Sequence, residues 1–248
     1  GDAKLLVGRS RVYVELDELE LADADMKRAV TIETAPNAAF DRLRMAKDWR
    51  SAAAYGWRLL QENPTDSVIW LKLGSALVMA GDRDGHAKLC EHMVVQRTPN
   101  FDAQDSGRVT KVSLLLPDII DISKIPSEAC QQALDQGART STWRVWAWPV
   151  RGLLAYRTGD PASALDCTDR AFAEEAEPNV HQRVLVLAVR ALALAGLERW
   201  PEAATVVGEC REIVDAELNA LRGSSMHDVY IPLILLREAE SLVAAHLN

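Results

Sequence analysis

Apolar residues in this 248-residue chain return every three or four positions, in blocks long enough for helices. Gly, Pro, Asn and Asp cut the blocks apart. From Ala52 to Leu60 the apolar stripe is clear; Asp48 ahead of it supplies a cap, and Asn63-Pro64 ends it. The same punctuation recurs at Gly81-Asp82, at Thr158-Gly159-Asp160 and at Ala195-Gly196. Pro161 and Pro201 stand near helix starts, where a missing N–H costs little. No segment alternates with period two as a half-buried strand would. The pattern predicts an all-α chain of thirteen helices.

The helices come in pairs with a period of about 34 residues. Trp70, Leu73, Gly74, Leu77, Gly81, His86, Cys90 and Met93 have the same internal spacing as Trp148, Arg151, Gly152, Ala155, Gly159, Ala164, Thr168 and Ala171. A large residue, then small ones, then alanine at this period is the signature of tetratricopeptide (TPR) repeats. One such hairpin cannot bury its apolar face alone, so copies stack into a solenoid with a concave wall. The expectation is one TPR-like α-solenoid, a right-handed superhelix of six repeats. Their approximate bounds are 3–36, 37–65, 66–99, 100–139, 141–178 and 179–222, with a capping helix over 226–247. The fourth repeat diverges most: its first helix runs from Phe101 to Leu116, and Pro126 to Gly137 forms a short second one. Arg237, Glu238, Glu240 and His246 interrupt the apolar residues of the last helix, as an end cap with an outward polar face requires.

A net charge of −8 argues against nucleic acid and anionic membrane as partners. No apolar run approaches the roughly 20 residues of a membrane span. The N-terminus lacks the charged and apolar regions of a signal peptide, Gly1 reads as a tag remnant, and the chain is expected to begin inside a larger protein. Cys90, Cys130, Cys167 and Cys210 fall about one per repeat, each among apolar neighbours. They read as reduced core thiols, which places the protein in the cytoplasm.

Several segments resemble the TPR-like C-terminal regions of large bacterial proteins that carry serine/threonine kinase domains or WD-repeat propellers upstream. The residues that carry the resemblance are Gly81-Asp82 with Cys90 and Met93, Lys111 to Pro117, Tyr156-Arg157-Thr-Gly159, and Leu235-Leu-Arg-Glu-Ala-Glu240. It spans about Trp49 to Val243, and departs from the group at His86, where a tyrosine is usual. The resemblance implies a module attached to such a domain. Kinase activity does not carry over, since the chain has no glycine-rich loop with its strand lysine, no His-Arg-Asp loop and no Asp-Phe-Gly.

The candidate chemistry is thin. His86, Cys90 and His92 fall close together, but position 86 is a packed site of the repeat and His92 points elsewhere on the wheel. Glu174, Glu175 and Glu177 form an acidic cluster, and Ser224-Ser225 precede His227; both read as solvated ends and loops. Catalytic, metal and cofactor sites are therefore expected to be none. Trp143 and Trp146 would share a helix face, with Trp148 well round the wheel and Pro149 interrupting a straight helix. Charge carries the functional signal. Across the six first helices, expected to line the concave face, fourteen basic residues accompany four acids: Glu15, Asp41, Asp102 and Asp105. The fourteen include Arg11, Arg44, Lys72, Lys111, Arg151, Arg157 and Arg190. One reading is structural pairing with acids of the second helices. The other is a basic groove that draws in an acidic or extended segment of a protein or peptide partner, or of the chain's own upstream domain. Arg11, Lys72, Lys111, Trp146, Arg151 and Arg190 are the candidate groove residues, with Lys72, Arg151 and Arg190 preferred.

Overall fold

The structure is a computed structural model that describes residues 36–96, 103–125, 144–174, 179–221 and 227–247, with scattered positions before residue 36. Among the described residues from 36 onward lie ten α-helices, one 3-10 turn (Ile122–Lys124) and no strand. The helices are α1 (Pro36–Met45), α2 (Trp49–Glu62), α3 (Ser67–Met79), α4 (Arg83–Val95), α5 (Ala103–Ser113), α6 (Arg144–Arg157), α7 (Pro161–Glu174), α8 (Val180–Gly196), α9 (Trp200–Leu221) and α10 (His227–Leu247). Most of the first repeat, including Lys4 and Arg11, lies outside the described residues, as do Pro126 to Gly137, Cys130 and Trp143.

The helices pack as hairpins: α1 with α2, α3 with α4, α6 with α7 and α8 with α9. First helices also lie side by side, α3 on α5, α5 on α6 and α6 on α8, while α2 packs on α3 and α7 on α8. Each unit thus covers the flank its neighbour leaves bare, which makes the chain an all-α, TPR-like solenoid. Most of the two series of matched residues are interior, the turn glycines Gly81 and Gly159 excepted and Arg151 and Ala155 half-buried. Trp70, Leu73, Leu77, His86, Cys90 and Met93 are buried, as are Trp148, Ala164, Thr168 and Ala171. Gly74 lets α3 and α5 approach: a Cβ there would lie 2.5 Å from Val112 Cγ1.

The four described hairpin turns are one motif. Lys47, Gly81, Gly159 and Glu198 have φ of 59°, 74°, 82° and 59°. The following N–H groups, of Asp48, Asp82, Asp160 and Arg199, donate to Leu43, Leu77, Ala155 and Leu194 at 2.9–3.0 Å. This is the Schellman closure of a helix, in which a left-handed residue turns the chain and satisfies two last carbonyls. The next helix then starts at once. Asp48, Asp82 and Asp160 accept from the N–H of Ser51, Gly85 and Ser163 as N-caps. Arg199 has no such oxygen and instead pairs with Glu202 in the first turn of α9.

Three expectations need amendment. α6 runs through Pro149, just as α10 runs through Pro232 within its expected span. Each proline is the sixth residue of its helix, so a single early backbone bond is lost and the helix continues. α5 ends at Ser113 rather than Leu116, and Leu114 and Leu115 turn into the core. The last helix does not simply close the stack. It packs on α8 and α9, and it also reaches back to α3.

Candidate interaction surface

Most basic residues of the first helices meet a carboxylate or an aromatic ring. Lys72 is only 7 % exposed, and its Nζ lies 2.7 Å from Asp41, binding α3 to α1. Asp41 also accepts from Arg44, whose side chain is fully buried between the rings of Phe40 and Tyr230 and donates to Ser75 Oγ. Arg108 bonds Asp105 and Ser67. Arg183 pairs with Glu209. Arg190 bonds Asp169 and Thr168 on α7. Lys111 is buried over the ring of Trp146 at 5.1 Å, joining α5 to α6. Of these acids and rings only Glu209 and Asp169 lie on second helices, whereas Asp41, Asp105, Phe40 and Trp146 lie on first helices.

Helix phase explains what the preferred residues do. Arg151 and Arg190 point toward α7, not along the row of first helices. Arg151 and Arg170 lie on the Trp148 ring at 5.4 and 5.3 Å, and the indole N–H donates to Glu174 at 2.7 Å. Trp146 and Trp148 do face different ways, one toward the fourth repeat and one toward α7. Arg11 and Trp143 lie outside the described residues.

The C-terminal ends of the first helices carry a different set. α10 crosses the C-terminal ends of α1, α3, α6 and α8. Tyr230 donates to the Arg44 carbonyl at the end of α1 (3.1 Å) and meets Trp49 edge-on. Arg237 reaches Met79 at the end of α3. Glu238 receives both terminal nitrogens of Arg157 at the end of α6, one at 2.6 Å. Leu242 and Val243 pack beside Leu194 and Ala195 at the end of α8, where His246 stacks on Trp200. The Arg157 side chain is 6 % exposed, and its Nε donates to the Leu114 carbonyl, so every nitrogen is engaged. Neither Arg157 nor Glu238 was singled out as a site by charge counting. The available signal was that Tyr156-Arg157 and Glu238-Ala-Glu240 belong to two of the four segments that carry the resemblance.

The His86–Cys90–His92 group is explained by packing, whereas Glu175, Glu177, Ser224 and Ser225 lie outside the described residues. His86 Nε2 bonds the Val112 carbonyl at 2.9 Å with Cys90 Sγ 3.9 Å away. Burial pushes the imidazole down to about 4, so it is neutral. His92 is elsewhere, on the Pro64 carbonyl. Among the described residues no group of three or more His, Cys, Asp or Glu is placed to hold a metal. Burial pushes the Cys90 and Cys210 thiols up to about 12 and raises that of Cys167, which leaves them weak nucleophiles. No described helix is long and apolar enough to cross a membrane.

Neither a family model nor a curated protein matches the chain. Among solved structures it is similar to a tetratricopeptide repeat protein from Parabacteroides merdae, at 12 % identity and a TM-score of 0.49, over 98 % of this chain and 99 % of that one. The repeats described here rest on their own hairpins, turns and buried positions.

Proposed function

We propose that the chain is a non-catalytic protein–protein interaction module that takes an acidic or extended segment of a protein partner. Stacked helical hairpins present long surfaces without a closed catalytic cavity, and such surfaces serve binding. The observation that supports the acidic preference is the arginine–tryptophan cluster on α6, α7 and α8, where Arg151 and Arg170 lie on Trp148 and an incoming carboxylate would compete with Asp166 on Arg170 and Asp169 on Arg190. Trp and Arg are the residues most enriched where binding energy concentrates. Lys72 and Lys111 hold neighbouring helices together and Trp146 faces the fourth repeat, so the contact set centres on Arg151 and Arg190. In this reading the module is cytoplasmic and forms the C-terminal part of a larger signalling protein such as a serine/threonine kinase.

The test is a titration of labelled acidic peptides against the wild type and an Arg151→Glu/Arg190→Glu variant. The variant is expected to bind about tenfold or more weakly, and the wild-type affinity to fall with salt. Equal binding by both removes the basic surface. A second reading, an intramolecular regulatory domain acting on an attached kinase, is favoured by one observation: the C-terminal ends of the first helices already hold a segment of the chain itself.

A further inference from the structure

The second helices α2 and α4 both pack on α3 and leave a cleft of about 700 Å³ between them. Trp57 of α2 lines it, with Asp82, Asp84, Lys88 and His92 along α4. His92 donates to the Pro64 carbonyl at 3.1 Å and so bridges α4 to the turn after α2. At the other end a Cβ on Gly85 would strike Asp82 Oδ2 and Leu77, so the glycine lets that carboxylate fold over the first turn of α4. Asp82 Oδ1 accepts the Gly85 N–H at 2.8 Å. Asp84 and Lys88 stand at i, i+4, the spacing that Asp166 and Arg170 bridge at 2.9 Å, yet among the described residues neither they nor Asp82 form an ion pair.

Trp57 is the second observation. The five other described tryptophans each meet a ring, a cation or a hydrogen-bond acceptor. Trp57, half-buried on the cleft wall, has no such partner among the described residues. An accessible aromatic face beside carboxylates suits a cation. Two carboxylates against one ammonium leave one negative charge, which a single cation balances. A guanidinium fits this set better than an ammonium, because it stacks on a ring and forks onto a carboxylate at once. The chain itself does this at Arg170, 5.3 Å from the centre of the Trp148 ring and 2.9 Å from Asp166. From Asp82 to His92 the cleft follows α4 for about 15 Å, longer than one side chain reaches, so the occupant includes the backbone that flanks the cation.

We propose that the cleft between α2 and α4 seats one arginine of an extended segment of a partner protein, with its guanidinium on Trp57 and its N–H groups on Asp82 and Asp84. The site is separate from the α6–α8 cluster and opposite in charge preference, so either can fail while the other stands.

The test uses the full chain with isotope-labelled tryptophan and, as probe, the end-blocked peptide Gly-Ser-Gly-Arg-Gly-Ser-Gly. The indole N–H signal of Trp57, assigned by its loss in Trp57→Phe, is expected to shift on titration. Free arginine, and the peptide with uncharged citrulline in place of arginine, should need about tenfold higher concentration. Asp82→Asn/Asp84→Asn keeps an N-cap, since asparagine caps as well as aspartate, and should weaken the peptide about tenfold or more. Lys88→Gln removes the competing ammonium and should strengthen it about threefold, a gain that no folding defect produces. An unmoved Trp57 signal overturns the proposal, as does equal binding of the citrulline peptide or equal binding by the Asp82→Asn/Asp84→Asn chain. Equal binding of free arginine overturns the extended segment as occupant. The acidic peptides titrated against Arg151→Glu/Arg190→Glu report on the other surface whatever the outcome here.

Discussion

His86 shows how a single side chain departs from its repeat. The same position in the fifth repeat is Ala164, and a small residue suits both sites. Here the imidazole is fully buried, bonded through Nε2 to Val112, with Nδ1 lacking a protein partner. Burial lowers its proton affinity from the ordinary 6.5 to about 4. Because the unfolded chain binds the proton more readily, stability from this group is complete above pH 6.5 and is lost as pH falls toward 4. The difference corresponds to about 3 kcal/mol. Urea midpoints from pH 7.5 to 4.5 should therefore fall more steeply for the wild type than for His86→Leu, a variant with no ionisable group. Parallel curves would show that the imidazole does not titrate with unfolding.

At the scale of elements, the hairpin turn was the most legible part of the fold, and only where glycine marked it. Gly81-Asp82 and Gly159-Asp160 advertise a left-handed residue followed by a cap. Lys47-Asp48 and Glu198-Arg199 form the same closure with side chains that pay a steric cost in that conformation. Helix pairing and the buried series at fixed spacing could likewise be read from the sequence, since period and composition determine them. The course of α6 through Pro149 could not, because the cost of a proline depends on its distance from the helix start. Glu198→Gly should thus raise stability by about 1 kcal/mol, since it relieves the turn and leaves its hydrogen bonds in place. A thermal or urea transition that moves downward instead would mean that the side chain contributes more than the backbone strain removes.

At the scale of the molecule, nothing in the local pattern placed the last helix. Charge counting assigned cations to helices, but pairing is decided across repeats: Arg157 meets Glu238 eighty-one residues away, and Tyr230 meets Arg44 across 186. Such contacts depend on how the solenoid curves, which periodicity does not report. They also change how the chain should unfold. A plain repeat array interacts through nearest neighbours, so its end units can open independently. α10 ties the second repeat to the third, fifth and sixth, and removing one end of it should release that coupling. Tyr230→Phe loses the bond to Arg44 and should cost about 1 kcal/mol. Tyr230→Ala also empties the site between Arg44 and Trp49 and should cost about 3 kcal/mol or more. The decisive measurement is hydrogen exchange resolved by helix. In Tyr230→Ala, α1 and α2 should lose protection well before α8 and α9, while the wild type opens both ends together. If α1 and α2 keep the protection of α8 and α9 in that variant, the first helices hold the second repeat without help from α10, and the coupling does not run through it.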